Sequence, residues 1–109
     1  MTKPTAADRR AGAVFDALGD ATRRELFAAV GLGAPITATE LASGRSLSRQ
    51  AIVKHLQVLD AAGLVTAEKV GREQRYRVTP SPLDDASAWM AQVGAEWDRR
   101  LHRLGQRQT

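Results

Sequence analysis

The chain contains no cysteine, which excludes disulfides, thiolate zinc sites, iron–sulfur clusters and thiol redox chemistry together. No apolar run approaches the roughly 18 residues of a membrane span. Met1 to Arg10 is polar where a secretory signal would carry its apolar segment. The expected compartment is the cytoplasm, with no membrane partner. Catalytic constellations are missing as well. There is no Ser/His/Asp arrangement, no pair of carboxylates at working spacing and no glycine-rich phosphate loop, and a chain of 109 residues is too short to hide a sizeable substrate pocket. Neither enzymatic activity nor a cofactor is expected.

What is present describes one compact domain. Hydrophobic residues make up 43% and charged residues 26% of the chain, an ordinary balance for a single-core protein. Residues 1–7, with a proline and small polar side chains, read as a flexible arm, leaving 8–109 as the domain. The net charge is +4, and it is unevenly placed. Residues 1–44 hold five cations and five anions, and residues 80–109 hold four of each. Residues 45–79 carry Arg45, Arg49, Lys54, Lys69, Arg72, Arg75 and Arg77 against Asp60, Glu68 and Glu73, so seven against three accounts for the whole excess. A local positive field of this kind is the footprint of a phosphate-binding surface, although a few extra arginines also suit a plain solvated face.

The central stretch is SLSRQAIVKHLQVLDAAG, Ser46 to Gly63. Ser48 is placed to cap a helix and Gly63 to end it in the left-handed conformation. At about 100° per residue, Ile52, Leu56 and Leu59 fall on one side and Gln50, Lys54, Gln57 and Ala61 on the other. Glutamine pairs bidentately with adenine, and lysine reaches guanine O6 or N7, so this outer face suits a helix laid in a major groove. An ordinary amphipathic surface helix has the same pattern, and only its neighbours can decide.

Those neighbours are informative. A helix from about Asp8 to Gly19 turns Val14, Phe15 and Leu18 inward. A second begins after Asp20 and buries Leu26, Phe27 and Val30 before Gly31 to Pro35 ends it. Thr37 and Glu40 form a T-x-x-E capping box that opens a short third helix near Ala38, each side chain expected to satisfy the other's backbone N–H. After the recognition helix the period changes from 3.6 to 2. Leu64 to Lys69 and Gln74 to Thr79 read as strands joined by a turn at Gly71, with Tyr76 and Val78 toward the core, Arg75 and Arg77 on the other face and Arg72 at the tip. Such a hairpin is a wing that puts cations on phosphates or in a minor groove. A bare hairpin whose charges only discourage edge pairing is the competing reading.

Ser81, Pro82 and Asp84 make a strong start for a last helix. From about 82 to 104 it repeats apolar residues at Leu83, Ala86, Met90, Val93, Trp97, Leu101 and Leu104, with Trp89 on the flank, over roughly 30 Å. A domain this small cannot cover the stripe, so a second copy is expected to do so through a two-fold interface. The residues assigned to it are Val14, Leu83, Trp89, Met90, Val93, Trp97, Leu101 and Leu104.

Taken in order, ALGDATRRELF, TELA, LSRQAIVKHLQVLDAAGLV and GREQRYRV resemble the ArsR-type winged helix-turn-helix repressors over about residues 13–104, and SPLDDASAWM with EWDRRLHRL is similar to the subgroup without metal sites that dimerises through the terminal helix. The fold class implied is mainly α with a small β-hairpin wing. The resemblance also implies a homodimeric repressor on a palindromic operator in double-stranded DNA, with the recognition helices about one helical turn apart. It carries DNA contact to Arg49, Gln50, Val53, Lys54 and His55, and wing contact to Arg72 and Arg75. Ser48, Gln57 and Arg77 join the expected DNA-binding set, as does Arg45, which can reach a phosphate. Val53 stands where the family commonly has a small hydroxyl residue, exchanging a hydrogen bond for contact with a thymine methyl. His55 has two open roles, donation to a phosphate or a backbone hydrogen bond near the core.

Metal binding is not expected. The third-helix stretch Ile36 to Ala42 has no thiolate, and Asp98 with His102, four apart on the last helix, lack a third ligand. The rival function is a winged helix that docks a protein partner and does not bind DNA specifically.

Overall fold

A computed structural model describes residues 3–107 of the chain. Met1 and Thr2 of the expected arm lie outside them. The elements in order are α1 (Ala6–Leu18), α2 (Ala21–Val30), β1 (Ile36–Thr37), α3 (Ala38–Ala42), α4 (Arg49–Ala61), β2 (Val65–Val70), β3 (Glu73–Val78) and α5 (Ser81–Arg107). The three strands form one antiparallel sheet in the order β1-β3-β2.

Helix α1 starts two residues earlier than the sequence suggested. Thr5 is its N-cap, with its hydroxyl accepting from the Asp8 N–H at 3.0 Å while the Asp8 carboxylate accepts from the Thr5 N–H at 3.0 Å. This reciprocal box satisfies two orphan donors, so residues 5–7 belong to the helix and not to an arm. The Thr-Arg-Arg entering α2 has a local purpose. Arg23 donates through Nε to the Ala17 carbonyl and through Nη2 to that of Asp16, and Arg24 donates to the Leu18 carbonyl. The two guanidiniums thus occupy the free carbonyls at the C-terminus of α1, where cations are favoured. Asp20 caps α2 from the same corner, accepting from the Arg23 N–H at 3.0 Å.

The core is where these helices meet α4 and the sheet. Leu26, Ile52, Leu56, Leu59, Leu64, Val14, Val30 and Val65 are all less than 2% exposed. Val14, assigned from sequence to the contact between copies, is therefore corrected to the protomer's own core. Leu83 is likewise half-buried against that core. Phe15 departs the other way. It is expected inward but is 36% exposed, and it packs edge-on against Trp89 with ring centroids 5.4 Å apart. The aromatic pair, with the Arg10–Asp85 ion pair at 2.9 Å, fastens the start of α5 to α1. Part of the Trp89 surface assigned to a second copy is thus covered within the chain.

The capping box of α3 forms with one change. Thr37 Oγ1 accepts from the Glu40 N–H at 3.1 Å, but the Glu40 carboxylate accepts from the Thr37 hydroxyl and not from its N–H. Thr37 stands in β1 opposite Arg75, where a strand partner takes over backbone pairing. The wing turns through Gly71 and Arg72, between the paired Val70 and Glu73. Gly71 has φ +64° and among the described residues no non-glycine has positive φ, which is the type II′ pattern that matches strand twist.

Gly63 is the other position where backbone chemistry decides. Its φ is +77°, and a Cβ there would stand 3.3 Å from Pro82 Cγ. Gly63→Ala is expected to lower stability by about 1–2 kcal/mol, the cost of a side chain in the left-handed region. Chemical denaturation at fixed protein concentration measures it, and an unchanged midpoint would contradict the assignment.

Helix α5 leaves the body. Its 27 residues span about 40 Å at 1.5 Å per residue. The long axis of the molecule is 66 Å against 29 and 23 Å across, and the radius of gyration is 18.4 Å where a compact chain of this length has about 13 Å.

Candidate nucleic-acid interface

The short α3 and the longer α4 are joined by a turn through Gly44, whose φ of +76° lets the chain reverse without strain. Ser48 opens α4, its hydroxyl accepting from the Ala51 N–H at 3.1 Å. The inner face of α4 is closed, with Ile52, Leu56 and Leu59 fully buried. Gln50, Lys54, Gln57 and Ala61 are exposed on the opposite face, as the periodicity requires, and Arg45, Ser48 and Arg49 are exposed beside them. Among the described residues nothing covers this ridge. It presents two amides, one ammonium and a guanidinium at its N-terminal end.

The flanks of α4 differ from one another. Arg49, Val53 and Asp60 fall within about 40° of each other on the side toward the wing. Val53 is half-buried there and packs against the core. Burial is the first cause that raises the Tyr76 phenol above its ordinary value, Asp60 adds to the rise, and Arg49 opposes it. Val53 thus stands partly covered between the ridge and the wing. His55 lies on the other flank, half-buried. Asp20 is held below the usual carboxylate range, first by the Arg23 N–H that it accepts, with burial opposing and the charges of Arg23 and His55 assisting. His55 thus lies within electrostatic reach of the α2 cap.

On the wing, Arg72 is exposed at the turn and Arg77 is exposed along β3. Arg75 differs. As the middle of the central strand it is flanked by Thr37 on one side and Glu68 on the other. Its Nη2 donates to Glu73 Oε2 at 2.8 Å, and its Nε is buried without a partner. Arg75 is thus already paired with a neighbour two residues away on the same face, unlike Arg72.

Two features escaped the sequence. One is β1, a two-residue strand whose only local signal is the β-branched pair Ile36 and Thr37 ahead of the capping box. The other is a cleft of about 480 Å³ between α3, the Arg49–Val53 flank of α4 and the wing, where length alone suggested no sizeable pocket. Among the described residues no group of three or more His, Asp or Glu stands together to hold a metal, and no helix is long and apolar enough to cross a membrane.

Comparison with known proteins bears on this arrangement. A helix-turn-helix domain model matches residues 18–68, from the α1 terminus into β2. The chain is 43% identical over 72 residues to the uncharacterized HTH-type transcriptional regulator YuzN of Bacillus subtilis, covering 61% of this chain and 75% of that one. It is 30% identical over 77 residues to the transcriptional repressor SdpR of the same organism, covering 71% and 84%. Among solved structures, an ArsR-like transcriptional regulator from Rhodococcus sp. RHA1 superposes with a TM-score of 0.81 at 42% identity over 94% of this chain and 95% of that one. That match extends through the wing and into α5, beyond the helix-turn-helix pair. On these likenesses in sequence and in fold, the chain belongs to the ArsR family of winged helix-turn-helix transcriptional regulators, which are DNA-binding proteins and not enzymes.

Proposed function

We propose that this regulator is a repressor that binds a palindromic operator as a homodimer, reading bases through Gln50, Lys54 and Gln57 and holding phosphates through Arg45, Ser48, Arg49, Arg72 and Arg77. The observation that carries the reading is the division of α4, with three fully buried apolar residues inside and an uncovered amide-and-ammonium ridge outside. Val53 reaches a thymine methyl only at the edge of the ridge. Arg75 contributes less than Arg72, since Glu73 already holds its guanidinium.

The dimer half of the proposal is supported by α5. Met90, Trp97, Leu101 and Leu104 are 53%, 55%, 59% and 53% exposed, and beyond Val93 every described side chain of the helix is exposed. Two half-exposed tryptophans and a leucine stripe held in water are costly at about 25 cal/mol per Å² of apolar surface. A second copy presenting the same stripe covers both at once in an isologous contact. The interface residues are then Met90, Val93, Trp97, Leu101 and Leu104, with the free edge of Trp89.

Salt dependence tests the DNA reading. Displacement of counterions makes log K fall linearly with log salt at about 0.9 per phosphate neutralised. Four cationic phosphate contacts per protomer, from Arg45, Arg49, Arg72 and Arg77, correspond to a slope of about −7 for the dimer on that rule, Ser48 being uncharged. Fluorescence anisotropy of a labelled duplex across a salt series measures it. No binding at low salt would remove the proposal and favour a winged helix that docks a protein.

A further inference from the structure

The cleft beside α4 has the size and the chemistry of a small-molecule site. Its volume of about 480 Å³ lies within the ~300–1,000 Å³ usual for such sites. Arg49 enters it from the recognition helix and Arg72 from the wing turn, while Val53 and Tyr76 supply the apolar part of its lining. Two carboxylates also line it, but both are engaged within the chain. Glu40 accepts the Thr37 hydroxyl at 3.1 Å, and Glu73 accepts from Arg75 at 2.8 Å. Among the described residues Arg49, Arg72 and Glu40 have no ion pair while Glu73 is paired with Arg75, so two guanidiniums against one carboxylate leave the cleft a net positive charge. Burial raises the Tyr76 phenol above its ordinary value.

We propose that this cleft seats a small organic oxyanion, a phosphate or carboxylate carried on a planar or apolar body, between Arg49 and Arg72, and that seating it opposes DNA binding. The second half rests on the function proposed above, because Arg49 and Arg72 are phosphate contacts there. The first half stands without it. A charged group shared by two guanidiniums makes charge-assisted hydrogen bonds to both, and the body of the molecule lies against Val53 and Tyr76. Occupancy then removes two cations from the DNA-facing surface and fills the space between helix and wing. A backbone phosphate of DNA offers the same oxyanion, so free and DNA-borne anions compete.

Phenyl phosphate is the probe. Titrated into 15N-labelled protein at constant ionic strength, it is expected to give saturable amide shifts at Thr39, Arg49, Gln74 and Tyr76, leaving Arg99, Arg100 and Arg103 of α5 unmoved. Thr39→Phe fills the cleft and is expected to weaken the probe at least about tenfold. Gln74→Trp, on an exposed strand position, gives the same result if the short α3 does not tolerate the phenylalanine. In a second arm, phenyl phosphate is expected to release a labelled duplex over the concentrations at which the shifts saturate, with added NaCl of equal ionic strength as the comparison. Shifts that never saturate, or that appear equally along α5, overturn the seat. A saturated seat with unchanged duplex affinity overturns its opposition to DNA. A protein that binds no duplex at any salt sinks the repressor reading alone, and the amide shifts still decide the seat.

Discussion

Replacing Trp97 and Leu101 together by glutamate is expected to yield a folded monomer that binds a two-half-site duplex about 10²–10⁴-fold more weakly than the parent protein. Both side chains are more than half exposed in the protomer. The only ring contact at Trp97 among the described residues is the Arg100 guanidinium 5.4 Å from its centroid. Nothing in the core depends on either residue, and glutamate is a good helix former, so the fold survives. Across a two-fold axis the substitution puts four carboxylates into an apolar seam, where like charges cannot be hydrated. The affinity loss follows from linkage: once one recognition helix is bound, the second binds from a high effective concentration that the monomer lacks. Sedimentation gives the oligomeric state and anisotropy the affinity. A duplex carrying one half-site supplies the control, since both proteins should bind it alike. A parent protein that sediments as a monomer, or a variant that keeps full affinity for the paired site, would rule out dimerisation along α5.

The two halves of this molecule were legible in the sequence to different degrees, for a physical reason. In α4 the periodicity is local and strong, so Ile52, Leu56 and Leu59 were separable from Gln50, Lys54 and Gln57 without any knowledge of what packs where. The hairpin was equally readable, because Gly71 fixes the turn and the alternation through Tyr76 and Val78 fixes the register. Periodicity states which residues share a face, however, and not what lies against that face. Val14 and Phe15 are adjacent and apolar, yet one is sealed in the core and the other edges out to meet Trp89, because α5 returns across α1, where Arg10 meets Asp85 from 75 residues away. Arg75 read as a wing cation because periodicity signals neither its bond to Glu73 nor the strand β1 that sets Thr37 beside it. The cleft was invisible for the same reason, since its lining comes from three segments separated by loops. Arg23 and Arg24 were recognised only as part of a family phrase, while their hydrogen bonds to the end of α1 explain why that corner needs two guanidiniums.

Substituting Gln50 and Lys54 together with alanine is expected to erase the preference for one operator while leaving fold, dimer and salt-dependent binding in place. Both side chains are exposed and make no hydrogen bond within the described chain, so stability should stay within about 0.5 kcal/mol of the parent. A bidentate contact of glutamine to adenine or lysine to guanine discriminates by about 1–3 kcal/mol. In the proposed homodimer each contact is made twice, so four would be lost and the ratio of specific to random-sequence affinity is expected to fall by ~10³ or more. Phosphate contacts from Arg49, Arg72 and Arg77 remain, which keeps the salt slope nearly constant except for the charge of Lys54. This separation of sequence preference from salt dependence is diagnostic, because a helix that merely rested on the backbone would lose affinity for every duplex in parallel. Selection of bound fragments from genomic DNA by the parent protein defines the operator, and competition between that fragment and a scrambled one measures the ratio for both proteins. An unchanged ratio would move base reading off the outer ridge of α4 and leave the flank carrying Arg49 and Val53 as the surface that reads sequence.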